Sequence, residues 1–329
     1  MVTTAALSEP VLSIAAANTL LASPATYSKL MRRFLDEVLI NEHLMERGRL
    51  GETLASVVLI IARDAATCTL PNVNEYGSKF VGGTTQEPSV KPVTPTRFIE
   101  SLFHEVPSRF KSFGDVAWIN FTHFDLLPSI LDGEIPMKLL LNAWCRSVAF
   151  QCADNQPIYD LLIPIYLGDL DKPFEPAKLS YTVIQIKARV GADGKGDLES
   201  LTGPMINIGS GSGPHKPPYL AILMDLGALV AYQGPKVHVH HTAALLPEKK
   251  ASASFLWHYS SQEPSRWVFH ARGLTKETYP SLSKFGAQLM HRVLYRRAGE
   301  EDETEGREVV RSAAADWSEA TGSILTKGC

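Results

Sequence analysis

The chain has 329 residues, of which 45% are hydrophobic and 20% charged, with a formal net charge of −3. That composition belongs to an ordinary globular protein and excludes wholesale disorder, a collagen-like repeat and a disulfide miniprotein. The small net charge excludes a polybasic nucleic-acid coat, but the charge is unevenly spread. Arg266, Arg272, Lys276, Lys284, Arg292, Arg296 and Arg297 share the segment 266–297 with one acid, Glu277. An acidic run follows, made of Glu300, Glu301, Asp302, Glu303 and Glu305. A basic element with an acidic tail suits a nucleic-acid binder whose tail competes as an anion. It suits equally a solvated helix face with a flexible end.

Along the chain, the apolar stretch Val11 to Leu21 has no basic residue before it, so it reads neither as a signal peptide nor as a membrane span. Residues 27–46 show Leu30, Phe34, Val38 and Leu39 at helical spacing and predict an amphipathic helix. A second helix is expected over 47–66, with Leu50, Leu54, Val57, Val58 and Ile61 as its main stripe. Leu59, Ile60 and Ala62 make it apolar nearly all round, the mark of a helix buried between layers. Pro71, Pro88, Pro92 and Pro95 punctuate a surface insertion over 71–96. Next come a short helix at Phe98–Phe103, a strand at Val116–Phe121 and a helix at Pro136–Trp144.

The strand signals are strongest in the second half. Ser147–Cys152 alternates, and Asp154-Asn155-Gln156-Pro157 is a turn. Asp160–Leu167 is a near-continuous apolar run, as in a buried strand. Tyr181–Val190 is β-branched in its middle. The Gly- and Pro-rich stretch 191–218 predicts a long loop. Tyr219–Leu226 and Arg266–Ala271 are further strands, and Leu282–Arg297 is a basic helix. Buried strands flanked by helices give an α/β sandwich with a central mixed β-sheet. The expected organisation is an N-terminal helical extension over 1–46, one domain over 47–297 with insertions at about 70–146 and 191–218, and an acidic tail over 298–329.

One strand carries chemistry. Side chains alternate between faces, so Val183, Gln185, Lys187 and Arg189 share one face of Tyr181–Val190. A lysine in a central apolar strand needs a carboxylate or a ligand nearby. Asp160, which opens the preceding strand, is the natural partner. An acid, an amide oxygen and the intervening backbone carbonyl can hold a hard cation, with the lysine beside a phosphate. A core salt bridge between Asp160 and Lys187 explains the same spacing, and both readings stay open.

The pattern Asp160-(x24)-Gln185-x-Lys187 on two successive strands resembles the PD-(D/E)XK restriction-endonuclease-like nucleases in their Q-x-K variant. Glu52, in RGRLGETLASVVLIIARDAA, fits the acidic residue that those proteins often carry on the helix before the first strand. The run NQPIYDLLIPI followed by YTVIQIKAR is also similar to nuclease-like domains of crinkler-type effectors and to uncharacterised transposon-associated fungal families. The resemblance covers about residues 47–67 and 144–226. It implies that Asp160, Gln185, the Ile186 carbonyl and Glu52 hold Mg²⁺ or Mn²⁺, with Lys187 as catalytic lysine. It also implies that Gln156 lies near the site or DNA. Lys284, Arg292, Arg296 and Arg297 would contact the phosphate backbone of nucleic acid, with DNA as the expected form. Gln185 supplies no negative charge where most members carry Glu. That departure favours the alternative of an inactive binding module for nucleic acid or protein.

Other signals are weaker. Cys68, Cys145, Cys152 and Cys329 have no C-x-x-C spacing and read as reduced thiols of an intracellular protein, nuclear or cytoplasmic. His238, His240 and His241 lack partners that complete a zinc site. Gly209-Ser210-Gly211-Ser212-Gly213 lacks the Lys-Ser/Thr of a phosphate loop and reads as a linker, possible DNA contact coming from His215-Lys216. Trp118, Trp144, Trp257 and Trp267 are expected in the core rather than stacked on bases.

Overall fold

A computed structural model describes residues 47–67, 91–103, 106–131, 133–188, 207–209, 214–215, 217–227, 255–260, 266–282 and 284–296, with a few single positions before 47. The helix expected over 27–46, the histidines at 238–241 and the acidic tail lie outside the described residues or almost entirely so. Helix α1 (Arg47–Thr67) buries Leu50, Leu54, Ala55, Val58, Leu59, Ile61, Ala62 and Ala66, as its all-round apolar sequence requires. Its polar positions are satisfied locally: Thr53 and Ser56 donate to the carbonyls four residues back, each at 2.9 Å.

Helix α2 (Pro95–Phe103) starts earlier than expected, with Pro95 at its first position, where the absent N–H costs nothing. A 3₁₀ turn at Ser108–Phe110 and the short α3 (Lys111–Gly114) follow. The strand expected over Val116–Phe121 contracts to β1 (Trp118–Ile119), which pairs with the far end of β5 on one side and, through Ile119, with Val93. Strand β2 (His123–Leu126) and strand β3 (Glu134–Pro136) precede α4 (Met137–Arg146). Ser147, in the left-handed region at φ 52°, ends α4 and donates its N–H back to the Trp144 carbonyl. The strand ladder then runs through β4 (Val148–Gln151), β5 (Leu161–Tyr166) and β6 (Leu179–Lys187). After it come β7 (Asn207–Gly209), β8 (Pro214–His215), β9 (Tyr219–Asp225), β10 (Phe255–Ser260), β11 (Arg266–Arg272) and α5 (Lys284–Arg296).

The main sheet has the order β10-β11-β9-β6-β5-β4-β2, with β1 beside the other end of β5. β5 runs antiparallel to both β4 and β6, whereas β6, β9 and β11 run parallel. The C-terminal ends of β4, β6, β9 and β11 therefore meet the start of β5 at one edge of the sheet. One face packs Leu161, Ile163, Ile184, Ile186, Ile222 and Phe269 against α1, α2 and α5. The other packs Leu162, Tyr181, Val183, Leu223 and Val268 with Leu140 and Trp144 of α4. The molecule is thus α/β, a mixed sheet between helical layers.

The Gly-rich segment differs from its expected form as one continuous loop. Gly209 and Pro214 pair across a hairpin of β7 and β8, and β7 lies parallel to β3. Ile135 and Ile208 are buried in the α4-side core. Strands this short are fixed by their partners rather than by a local pattern. Trp144 and Trp267 are buried, and Trp118 packs partly buried against the α4-side core.

Candidate functional site

Asp160 stands at the sheet edge just before β5. The paired register of β5 and β6 ends at Leu161 and Ile184. Asp160 then donates its N–H to the Ile184 carbonyl at 2.8 Å, and its carboxylate Oδ2 accepts the Ile186 N–H at 2.5 Å. The side chain takes the place of the next backbone carbonyl and ends the ladder there. Asp160 is thereby fixed against the peptide unit that joins Gln185 to Ile186.

The approach to Asp160 is strained. Tyr159 donates its N–H to the Pro157 carbonyl at 2.9 Å, two residues back, and Ile158 between them has φ +77°. That is the rarer form of the three-residue turn, and positive φ is disfavoured for a β-branched side chain. Such strain persists only where surrounding structure enforces it, and it clusters at functional positions.

β6 presents its residues as the alternation requires. Ile184 and Ile186 point into the α1-side core, so Gln185 and Lys187 point to the α4 side. Gln185 is buried and Lys187 half-buried. The Lys187 carbonyl accepts the Leu226 and Gly227 N–H groups on the β9 side. The preceding Ile186 carbonyl is consequently turned toward the flank where Asp160 sits.

Glu52 reaches the same edge from α1. Its Oε2 accepts a hydrogen bond from Gln151 Nε2, at the end of β4, at 2.8 Å. Burial first, then the negative charges of Asp160 and Asp154, push its carboxyl up to about 7 against the Gln151 hydrogen bond and the charge of Arg49. Gly51 makes the close approach possible. A Cβ there would stand 2.8 Å from the Ala188 Cβ and 3.4 Å from the Ile186 Cγ2. Arg49, one turn earlier, pairs with Asp154 at 3.5 Å on the surface. Cys152, whose N–H donates to the Asp160 carbonyl at 2.8 Å, has its thiol pushed up by burial and by the neighbouring carboxylates of Asp160 and Glu52.

The structure thus brings Asp160, the Ile186 backbone and Glu52 to one end of the sheet, Glu52 from the α1 face, while Gln185 and Lys187 of the same strand end point to the α4 face. Gln156 has a different task. Its amide accepts the Leu131 N–H at 2.7 Å and donates to the Leu131 carbonyl at 3.2 Å, pinning the loop before β3. Of the basic residues assigned to nucleic acid, Lys284, Arg292 and Arg296 belong to α5, which buries Ala287, Met290, Val293 and Leu294. Arg297 lies outside the described residues.

Two residues of this edge were missed in sequence. Gln151 sits in an alternating strand, where a polar amide carries no distinguishing signal. Asp225 ends the apolar run YLAILMDL just as Asp160 opens its own, and the same reasoning could have found it. It is fully buried and lies in register with Lys187 on one side and Arg272 on the other.

The donor set suits a hard cation held with several waters: a carboxylate that also accepts one backbone N–H, a second carboxylate destabilised by burial and by its charged neighbours, an amide and a carbonyl. A positive charge there would relieve the repulsion that Asp160 exerts on Glu52. Among the described residues no group of three or more His, Cys, Asp and Glu is placed to hold a metal ion, so such a cation would rest on two carboxylates and neutral oxygens. No helix among the described residues is long and apolar enough to cross a membrane.

The fold and this edge define an α/β protein with a polar cluster at the ends of its central strands. No protein-family model, curated protein or solved structure matches the chain.

Proposed function

We propose that the chain is a restriction-endonuclease-like protein that hydrolyses DNA phosphodiester bonds with Mg²⁺ or Mn²⁺. The observation that carries this reading is the Asp160 carboxylate bonded to the Ile186 N–H, between Gln185 and Lys187. Helix α1 with its acid, then β4, β5 with Asp160 before it and β6 with Q-x-K follow the order that the resemblance implies.

In this reading Asp160, Glu52, the Gln185 amide and the Ile186 carbonyl hold the cation. When bound, the cation polarises the phosphate and lowers the pKa of a bound water. Asp160 is kept in place by its hydrogen bond to the β6 backbone. Lys187 presents its ammonium to the non-bridging oxygens and stabilises the charge that grows on them. Glu52 would accept a hydrogen bond from a water on the cation. Gln151 orients that carboxylate.

Asp160→Ala and Lys187→Ala are each expected to abolish cleavage of plasmid and linear DNA with Mg²⁺ or Mn²⁺, while circular dichroism shows the native fold. Wild-type cleavage by either variant would overturn the assignment. Gln185 favours a second reading, a catalytically silent binding module, because an amide adds no charge to hold the cation. DNA binding without cleavage by the wild type at any divalent-metal concentration would favour that reading.

A further inference from the structure

The edge continues past β6. Lys187, Asp225 and Arg272 occupy matched positions on β6, β9 and β11, all parallel, so their side chains share the α4 face of the sheet. Asp225 has no exposed surface, and Arg272 Nε lies 3.5 Å from its Oδ2, with the arginine side chain only 16% exposed. A fully buried carboxylate flanked by two basic positions is not a surface ion pair. It leaves the row with one net positive charge beside Asp160 and Gln185. Neighbouring strands are about 4.8 Å apart, so the two basic Cα positions stand roughly 10 Å from each other. Ligands of open α/β sheets settle at the carboxyl ends of the parallel strands, where this row lies.

We propose that Asp225 and Arg272 extend the candidate site. Asp225 is a positioning residue that holds Lys187 and Arg272 at the sheet edge, and Arg272 contacts a backbone phosphate next to the one at Lys187. This inference rests on the nucleic-acid reading above and adds the residues that seat the strand. Arginine suits the task, because its planar fork can keep Nε on the carboxylate and turn its outer nitrogens to a phosphate.

The test is binding of a short fluorescein-labelled DNA duplex, followed by anisotropy across a salt series in EDTA, so that no turnover contributes. Arg272→Gln is expected to weaken binding about tenfold at low salt and to reduce the slope of log K against log salt by about one. Arg272→Lys should restore the slope but not the full affinity. Because Arg272→Gln strands a buried acid, the double variant Asp225→Asn/Arg272→Gln keeps the test valid if the single one fails to fold. It should show the same lost slope. Asp225→Asn alone should weaken binding while its slope stays near wild type, because both cations remain but are no longer held. Wild-type affinity and slope in Arg272→Gln or in the double variant would overturn the inference and leave the nucleic-acid reading intact. No salt-dependent binding by the wild-type protein would overturn both.

Discussion

Helix α1 carries two charged clusters in an otherwise apolar sequence, and they solve burial in opposite ways. Near its C-terminal end, Asp64 is buried and its carboxyl is raised by desolvation, but Arg63 stands 3.0 Å away and lowers it. Arg63 Nη2 also donates to the Lys91 carbonyl at 3.4 Å. That cluster is closed, its charges answered within the fold. Near the N-terminal end, Glu52 is half-buried and meets the negative charges of Asp160 and Asp154. Its hydrogen bond comes from a neutral amide. Burial and like charges at this end of the sheet cost stability, and perturbed carboxyls cluster at functional sites, which is why the proposed cation is placed there. The two clusters differ in how a carboxylate of α1 is answered: Asp64 by an arginine at 3.0 Å, Glu52 by a neutral amide and the more distant charge of Arg49.

That contrast can be broken at several points. The largest effect is expected at the closed cluster. Asp64→Ala leaves Arg63 buried without its carboxylate and should cost about 3–5 kcal/mol in urea unfolding, with no change in any cation response. Gly51→Ala brings a methyl against Ala188 and should cost about 1–3 kcal/mol, partly offset by helix propensity. Because Gly51 sets how closely α1 approaches the end of β6, the same variant should also weaken any cation response. Gln185→Glu sharpens the comparison by adding a third acid. Its melting temperature should fall in EDTA, and Mg²⁺ should raise it by more than in wild type.

The smallest effect is expected from Glu52→Gln, and its sign depends on pH. The folded carboxyl is raised from 4.5 to about 7, so the native state holds the proton more tightly than the unfolded chain does. Stability is therefore full below about 4.5 and falls as pH rises toward and through about 7. Removing the charge should stabilise the metal-free protein at pH 8 by roughly 1 kcal/mol after solvent screening, or about 2–4 °C. At pH 4 the variant should melt with wild type. Equal melting temperatures for the two proteins at both pH values would show that the edge imposes no electrostatic cost.

Much of the framework was legible in the sequence because burial and pattern coincide there. The runs around Leu161–Tyr166, Leu179–Lys187 and Tyr219–Asp225 are the central strands, apolar on both faces. The alternation that put Gln185 and Lys187 on one face is the observed one. Strands β2, β3, β7 and β8 were not legible, since two to four residues carry no period and are held by their neighbours. Among the described residues β10 pairs with β11 alone, and its aromatic FLWHYS was read only as a source of core tryptophan. At the site, Asp160 stood out because it opens an apolar run beside a strand that carries a lysine. The hydrogen bond to Ile186 and the Gln151–Glu52 pair depend on where the strands end, which no local pattern records.

The central claim is that the Glu52 and Asp160 edge is completed by a cation. The most direct test is thermal unfolding of the wild type and Asp160→Ala, each in EDTA and in excess Mg²⁺ or Mn²⁺. A cation that binds the folded state alone must raise its melting temperature by mass action. The account predicts a rise in the wild type that is lost in Asp160→Ala. No shift in the wild type, or an equal shift in both proteins, would contradict it.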